Sequence, residues 1–282
     1  MPELPELEVM REILARCVVD RPIVHARTFH PGILKTIDPP LSALEGRAFR
    51  RVSRRGKHLV LSCGDDLHWV VHLMLAGRLV ECASDTKVTK ATGFVIGFDD
   101  GGDLRVIENG TQRRVTVHVV RCPEDVERLA NAGPEPFSDA FNLAYLKEKF
   151  RGLRRQLKKA ITDQHLIAGI GTSYADEILF DAQLSPIRYA STLTEEEIGR
   201  LHASIRSVLR GAIDEIRSRA GGALIAAHPR DFARVYKRTG QPCPECGARI
   251  AEIRYAQKRT YYCPTCQASG RTLPDRRSWL TR

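Results

Sequence analysis

The sequence predicts an α+β chain of more than one domain, and three observations carry that prediction. Short β-like runs crowd residues 48–120, helical periodicity replaces them up to about residue 219, and paired cysteines punctuate the last forty residues. At 282 residues the chain is long enough for two modest lobes, each able to bury a core without disulfide staples.

The elements follow in order. Residues 5–17 place Leu7, Met10, Ile13 and Leu14 at helical spacing, and Glu3, Glu6 and Glu8 crowd the start, where a helix dipole favours negative charge. From about residue 48 the runs HLVLSC, HWVVHL, RLVECA, GFVIGF, LRVIEN and RVTVHVV, separated by Gly and Asp turns, read as a β-sandwich or flattened barrel. The segment GPEPFSD (133–139) breaks this pattern and marks a domain boundary. Beyond it, Thr194 and Glu197 form a capping box before a long amphipathic helix that ends near Arg219-Ala220-Gly221-Gly222. The expected domains are 1–132, a β-sandwich with its leading helix; 133–228, a helical domain; and 229–282, a cysteine-bearing hairpin.

Lysine and arginine number 44 against 34 acidic residues, a formal charge of +10. The excess is uneven: residues 228–282 carry 12 basic and 4 acidic side chains, so one short segment holds most of it. Such concentration points to a polyanion-binding surface more than to general solubility. No apolar run reaches the length of a membrane span, and MPELPELEVM does not read as a signal or transit peptide, so a soluble protein without membrane association is expected. Eight cysteines without such a signal suggest a reducing compartment, where paired spacing means metal more often than disulfide.

The clearest metal signal is Cys243-x2-Cys246 followed, after sixteen residues, by Cys263-x2-Cys266. Two such knuckles supply four thiolates to one tetrahedral Zn²⁺ and leave no position for water, so the site is structural. Arg254, Lys258 and Arg259 lie between the knuckles on an expected β-hairpin, an element narrow enough to enter a DNA groove. Cys17, Cys63, Cys82 and Cys122 show no ligand spacing and read as buried core thiols.

The segment DQHLIAGIGTSYADE (163–177) joins two helices through a turn holding Gly169 and Gly171. Glycines let backbone approach a ligand, and the following helix start offers N–H groups to a phosphate, although the same turn also serves tight packing. Upstream, Arg151, Arg154, Arg155 and Lys158 fall on one expected helical face, with Phe150, Leu153, Leu157 and Ile161 on another. That face is either solvated or part of a positive track along a nucleic-acid backbone.

With Pro at position 2, removal of the initiator Met leaves a secondary amine. Such an amine can attack a sugar C1′ and form an iminium ion, with Glu3 beside it as a general acid/base. On composition alone a Met-Pro-Glu start is unremarkable.

The combination is not. MPELPELE, RRGKHL, DQHLIAGIGTSYADEILF and CPEC…CPTCQ together resemble the bacterial formamidopyrimidine-DNA glycosylase and endonuclease VIII family over nearly the whole chain. The resemblance implies an N-terminal β-sandwich, a helix-two-turn-helix domain and a zinc finger, acting on damaged double-stranded DNA as a glycosylase with strand-cleaving lyase activity. A monomer in the bacterial cytoplasm, associated with the nucleoid through DNA binding, is expected. Residue by residue, Pro2 matches the family nucleophile, Glu3 the catalytic acid, Glu6 a carboxylate near the flipped base, and Lys57 a lysine beside the lesion's phosphate. Asp163 and Gln164 match the start of the helix-two-turn-helix signature; Gly169, Gly171, Thr172 and Tyr174 match its phosphate-binding turn. The finger's phosphate clamp falls on Lys258 or Arg259, with the guanidinium favoured because it can bridge two phosphate oxygens.

The sequence also departs from the family. Leu75 stands where a stack-filling methionine is usual, with Met74 one residue early; either is an apolar wedge. The usual Arg-x-Phe run is replaced by Glu108–Val115, in which Arg113 matches the arginine facing the orphan base and Val115 is a poor substitute for a stacking ring. Thr172 replaces an asparagine. Only about a dozen residues, 221–234, connect the long helix to the finger, shorter than the lid of oxidised-purine enzymes. A specialised enzyme for bulky or cross-linked adducts, and a catalytically idle zinc-finger DNA binder, therefore stand as alternatives.

Overall fold

The computed structural model describes residues 1–110, 112–224, 230–255 and 258–274. Two compact units divide the chain, Met1–Asn131 with Ile213–His228, and Ala132–Ala212 with Pro229–Arg282.

The first unit opens with helix α1 (Leu4–Cys17) and continues through eight strands: β1 (Ile23–Thr28), β2 (Arg51–Arg55), β3 (His58–Ser62), β4 (His68–His72), β5 (Gly77–Ala83), β6 (Thr92–Phe98), β7 (Gly102–Glu108) and β8 (Thr116–Val120). They form two four-stranded antiparallel sheets, ordered β1-β6-β7-β5 and β2-β3-β4-β8. The expected sandwich is therefore present. Strand β1 carries no clean alternation of apolar residues, which is why sequence reading passed over it.

Side-chain alternation decides what each sheet face does. Leu59, Leu61, Trp69, Val71, Val117 and Val119 turn inward to meet Phe94, Ile96, Leu104 and Val106 of the other sheet, and Leu7, Met10 and Leu14 of α1 close the same core. Val60, Val70 and Val120 turn outward under Val126 and Leu129, a second small cluster capped by helix α2 (Glu127–Ala130). The four remaining thiols depart from expectation. Cys17, Cys63 and Cys82 are half-buried and Cys122 is exposed, its thiol donating to Glu124 at 2.8 Å.

The second unit holds helices α3 (Leu143–Phe150), α4 (Leu157–Ile161) and α5 (Thr172–Asp181), most of α6 (Glu195–Ala220), the hairpin β9 (Ala251–Tyr255) and β10 (Lys258–Tyr262), and the short helix α7 (Pro264–Ala268). The capping box at α6 is formed: Thr194 N–H donates to Glu197 at 2.8 Å, and Glu197 N–H to the Thr194 hydroxyl at 3.2 Å. One expectation fails. Arg151, Arg154, Arg155 and Lys158 do not share a helix face, because the helix stops at Phe150 and restarts at Leu157. Among the described residues no helix is long and apolar enough to cross a membrane.

Candidate active site and zinc finger

Pro2 and Glu3 are buried immediately before α1, and Glu3 N–H donates to the Glu6 carboxylate at 2.8 Å. A helix start leaves N–H groups without intrahelical partners, so a carboxylate three residues on is a natural acceptor. The acidic PELPELE run thus orders its own terminus. Lys57, only 8% exposed, occupies the tight β2–β3 turn, where Gly56 adopts φ +57. Arg54 fastens that turn to α1, donating to Glu8 at 2.9 Å and to the Gly56 carbonyl at 3.0 Å. Pro2, Glu3, Glu6 and Lys57 therefore belong to two segments joined by one buried arginine.

Sequence reading missed two histidines beside Lys57. His58 and His72 are buried directly across β3 and β4, with ring centroids 4.5 Å apart. Burial pushes His58 down to about 3 and His72 to about 4; His72 and then Arg128 lower His58 further, and Arg128 and Lys57 lower His72. Both are neutral at physiological pH. His72 Nδ1 accepts the Met74 N–H at 3.1 Å, fixing a turn in which Met74 has φ +51 and Leu75 is 61% exposed. The available signal was HWVVH itself, which puts polar rings at both ends of an apolar strand.

The segment after β7 is held by contacts within the first unit. Arg113 is exposed, but its guanidinium donates to the Lys90 carbonyl at 2.7 Å. Val115 is buried in the sandwich core, and its N–H, like that of Arg114, bonds the Glu108 carboxylate. Val115 is consequently a core residue and offers no wedge.

In the second unit the glycine turn is tied from within. Gln164 accepts the Gly169 N–H at 2.9 Å and donates to the Ile170 carbonyl at 2.8 Å, so the Gly169 N–H is already occupied. Gly171 caps α5 and is buried, while Tyr174 is 1% exposed beneath the Arg230 guanidinium. Thr172, at the first position of α5, is the member of this turn that faces solvent. Lys158, expected on a phosphate-facing track, instead points inward: its ammonium lies 2.6 Å from Asp176 and donates to the Arg259 carbonyl at 2.8 Å.

Cys243, Cys246, Cys263 and Cys266 converge so that all four sulfurs lie within 4.8 Å of one another. The Cys246–Cys263 and Cys243–Cys266 separations are 3.5 and 3.9 Å. A tetrahedron with Zn–S bonds near 2.3 Å has sulfur–sulfur edges of about 3.8 Å, so the donor set fits one Zn²⁺. Gly247, at φ +74, makes the first knuckle's turn, and a backbone N–H from Ala248 pulls the Cys246 thiol down to about 7. The finger is anchored by a residue that sequence reading overlooked. Glu177 of α5 accepts the N–H groups of Arg234, Val235 and Tyr236 at 2.7–2.9 Å. Phe180 of α5 packs into the finger's small core with Val235, Ile250 and Tyr261. On the hairpin, Arg259 is half-exposed opposite Arg254, and Glu252 lies 3.8 Å from its guanidinium. The Lys258 side chain lies outside the described residues, as do residues 225–229 of the connection to the finger.

Comparison with known proteins places this arrangement. Residues 1–115 match the formamidopyrimidine-DNA glycosylase N-terminal domain, and 132–220 match the H2TH domain of the same enzymes. The chain belongs to the formamidopyrimidine-DNA glycosylase family. Residues 240–268 match a zinc finger found in FPG and IleRS, and the four-cysteine cluster is its site for one structural zinc. A formamidopyrimidine-DNA glycosylase of Symbiobacterium thermophilum is 36% identical, over 99% of this chain and 93% of its own. The Lactococcus lactis glycosylase, solved on DNA containing an abasic site, superposes with a TM-score of 0.85 at 29% identity, covering 94% of this chain and 99% of that one. A MutM protein in complex with DNA containing carbocyclic 8-oxo-G gives a TM-score of 0.84 at 30% identity, with coverage of 94% and 99%. As a member of this glycosylase family the protein is a DNA-repair enzyme.

Proposed function

We propose that this glycosylase removes oxidised or ring-opened bases from duplex DNA and then nicks the strand as an abasic-site lyase, through the imino group freed on Pro2 when Met1 is removed. The carrying observation is the pairing of a buried Pro2-Glu3 start with a Lys57 turn fastened to the same helix by Arg54. Solved relatives bound to damaged DNA support the substrate class.

In this reading the Pro2 nitrogen attacks C1′ and the glycosidic bond breaks, its electron pair leaving with the base, which takes up a proton. Glu3 protonates the ring oxygen as the sugar opens to an iminium ion. Loss of the C2′ proton sends electrons into the iminium and expels the 3′ phosphate; water then hydrolyses the iminium and returns Pro2. Lys57 holds the phosphate beside the lesion. Glu6 lies near the flipped base, and the exposed Leu75, with Met74 behind it, fills the emptied stack. Arg113 reaches the orphan base only by leaving Lys90. Thr172 and Arg259 or Lys258 take flanking phosphates, with Gly169, Gly171 and Tyr174 shaping the turn that presents Thr172.

Borohydride trapping on abasic DNA tests the reading. A reducible adduct mapped to Pro2, slowed by Pro2→Gly, is expected; an adduct on a lysine overturns the Pro2 assignment, and no adduct favours an idle DNA binder.

A further inference from the structure

Within the second unit, α4, the 186–189 segment and the finger hairpin enclose a cavity of about 630 Å³, the size of a small-ligand site. Arg154, Arg155, Lys158, Lys159 and Arg254 line it, and among the described residues no carboxylate does. Three of these cations are held by acids outside the lining: Arg155 by Asp163, Lys158 by Asp176 at 2.6 Å and Arg254 by Glu252 at 2.5 Å. Their positive ends are thereby fixed around the cavity before any ligand arrives.

The remaining wall mixes polar Gln156, Thr162, Thr172 and Thr260 with apolar and aromatic residues. Ile187 and Ile253 supply flat aliphatic surface, and Tyr189 is 52% exposed at the same cavity. A fixed cationic arc beside an exposed ring suits an anion that carries a planar group. We propose that this cavity is a second nucleotide-binding site, in which phosphate meets Arg154, Lys159 and Arg254 while the base stacks on Tyr189. Stacking on a ring is tolerant of base identity, so no sequence preference is expected. Thr172 borders the cavity, so the nucleotide can be an unpaired one continuous with bound DNA or a free one. The inference does not depend on chemistry at Pro2, because the ligand needs no lesion.

Calorimetric titration of the zinc-loaded full chain with 2′-deoxyadenosine 5′-monophosphate and with deoxyribose 5-phosphate tests it. The nucleotide should bind about tenfold more tightly than the baseless sugar phosphate, and Tyr189→Ala should remove that difference while Tyr189→Phe keeps it. Equal binding of the two ligands, an unchanged difference in Tyr189→Ala, or no heat from the nucleotide overturns the proposal. Comparing blunt duplexes with duplexes bearing an unpaired tail identifies the source. A tail advantage lost in Tyr189→Ala supports unpaired DNA; equal duplex affinities with nucleotide binding intact support the free nucleotide.

Discussion

Lys158 and Asp176 form a buried ion pair, Nζ to Oδ1 2.6 Å, and the same ammonium holds the main-chain carbonyl of Arg259 at 2.8 Å. A helix lysine thus fixes the backbone from which the finger's arginine projects. Burial raises the Asp176 carboxyl well above the usual range even against this charge, so the pair is retained at a cost in desolvation.

Breaking the pair from one side should therefore be severe. Lys158→Met or Asp176→Asn is expected to lose about 3–5 kcal/mol of stability by leaving one buried group uncompensated. The double variant Lys158→Met/Asp176→Leu should recover most of that loss in denaturant titrations, yet bind duplex DNA several-fold more weakly than the parent. Parental DNA affinity in the double variant would show that the ammonium does not position Arg259.

Stability should fall on mild acidification. His58 and His72, ordinarily near 6.5, are pushed down to about 3 and about 4, first by burial and then by nearby charge, His72 and Arg128 on His58 and Arg128 and Lys57 on His72. The unfolded chain takes up protons below pH 6.5 that the folded chain refuses. Their contribution is complete above 6.5 and is lost as pH falls from there towards 4 and 3, at up to about 1.4 kcal/mol per pH unit for each ring. Between pH 6.5 and 5 the raised Asp176 carboxyl acts in the opposite sense, so the reading is a difference: urea midpoints should drop more steeply in the parent than in His58→Leu. An identical slope in that variant would remove His58 from the account.

Zinc should be stoichiometric and structural. Cys246→Ser is expected to release the metal in elemental analysis and to loosen Val235, Ile250 and Tyr261, because thiolate binding contributes directly to folding of such fingers. Duplex affinity should fall with it. Retention of one zinc per chain in the variant contradicts the four-thiolate site.

Substrate preference should follow the altered segments. With Val115 in the core, Arg113 on Lys90 and a short 221–234 connection, fewer groups are available to pair with an oxidised purine's edges. Single-turnover cleavage of matched duplexes is expected to be slower for 8-oxoguanine opposite cytosine than for ring-opened purines, oxidised pyrimidines or larger adducts, with abasic-site cleavage robust. Fastest processing of 8-oxoguanine would show that the purine-type PELPE terminus governs substrate choice.

Local chemistry was legible in the sequence because it needs only neighbours along the chain. The knuckle spacing of Cys243, Cys246, Cys263 and Cys266 names a metal, the Thr194–Glu197 box starts a helix, and alternating runs such as RVTVHVV make sandwich strands. What neighbours cannot specify is which distant group meets a side chain. Lys158 reads as a solvated cation until Asp176 and the Arg259 carbonyl, 18 and 101 residues away, draw it inward. Glu177 has no marked role in the sequence until three finger N–H groups converge on it, and Val115 reads as a poor wedge until the core encloses it. Burial and long-range partners, which tertiary packing alone creates, decided whether each of these side chains faces a ligand or holds the fold.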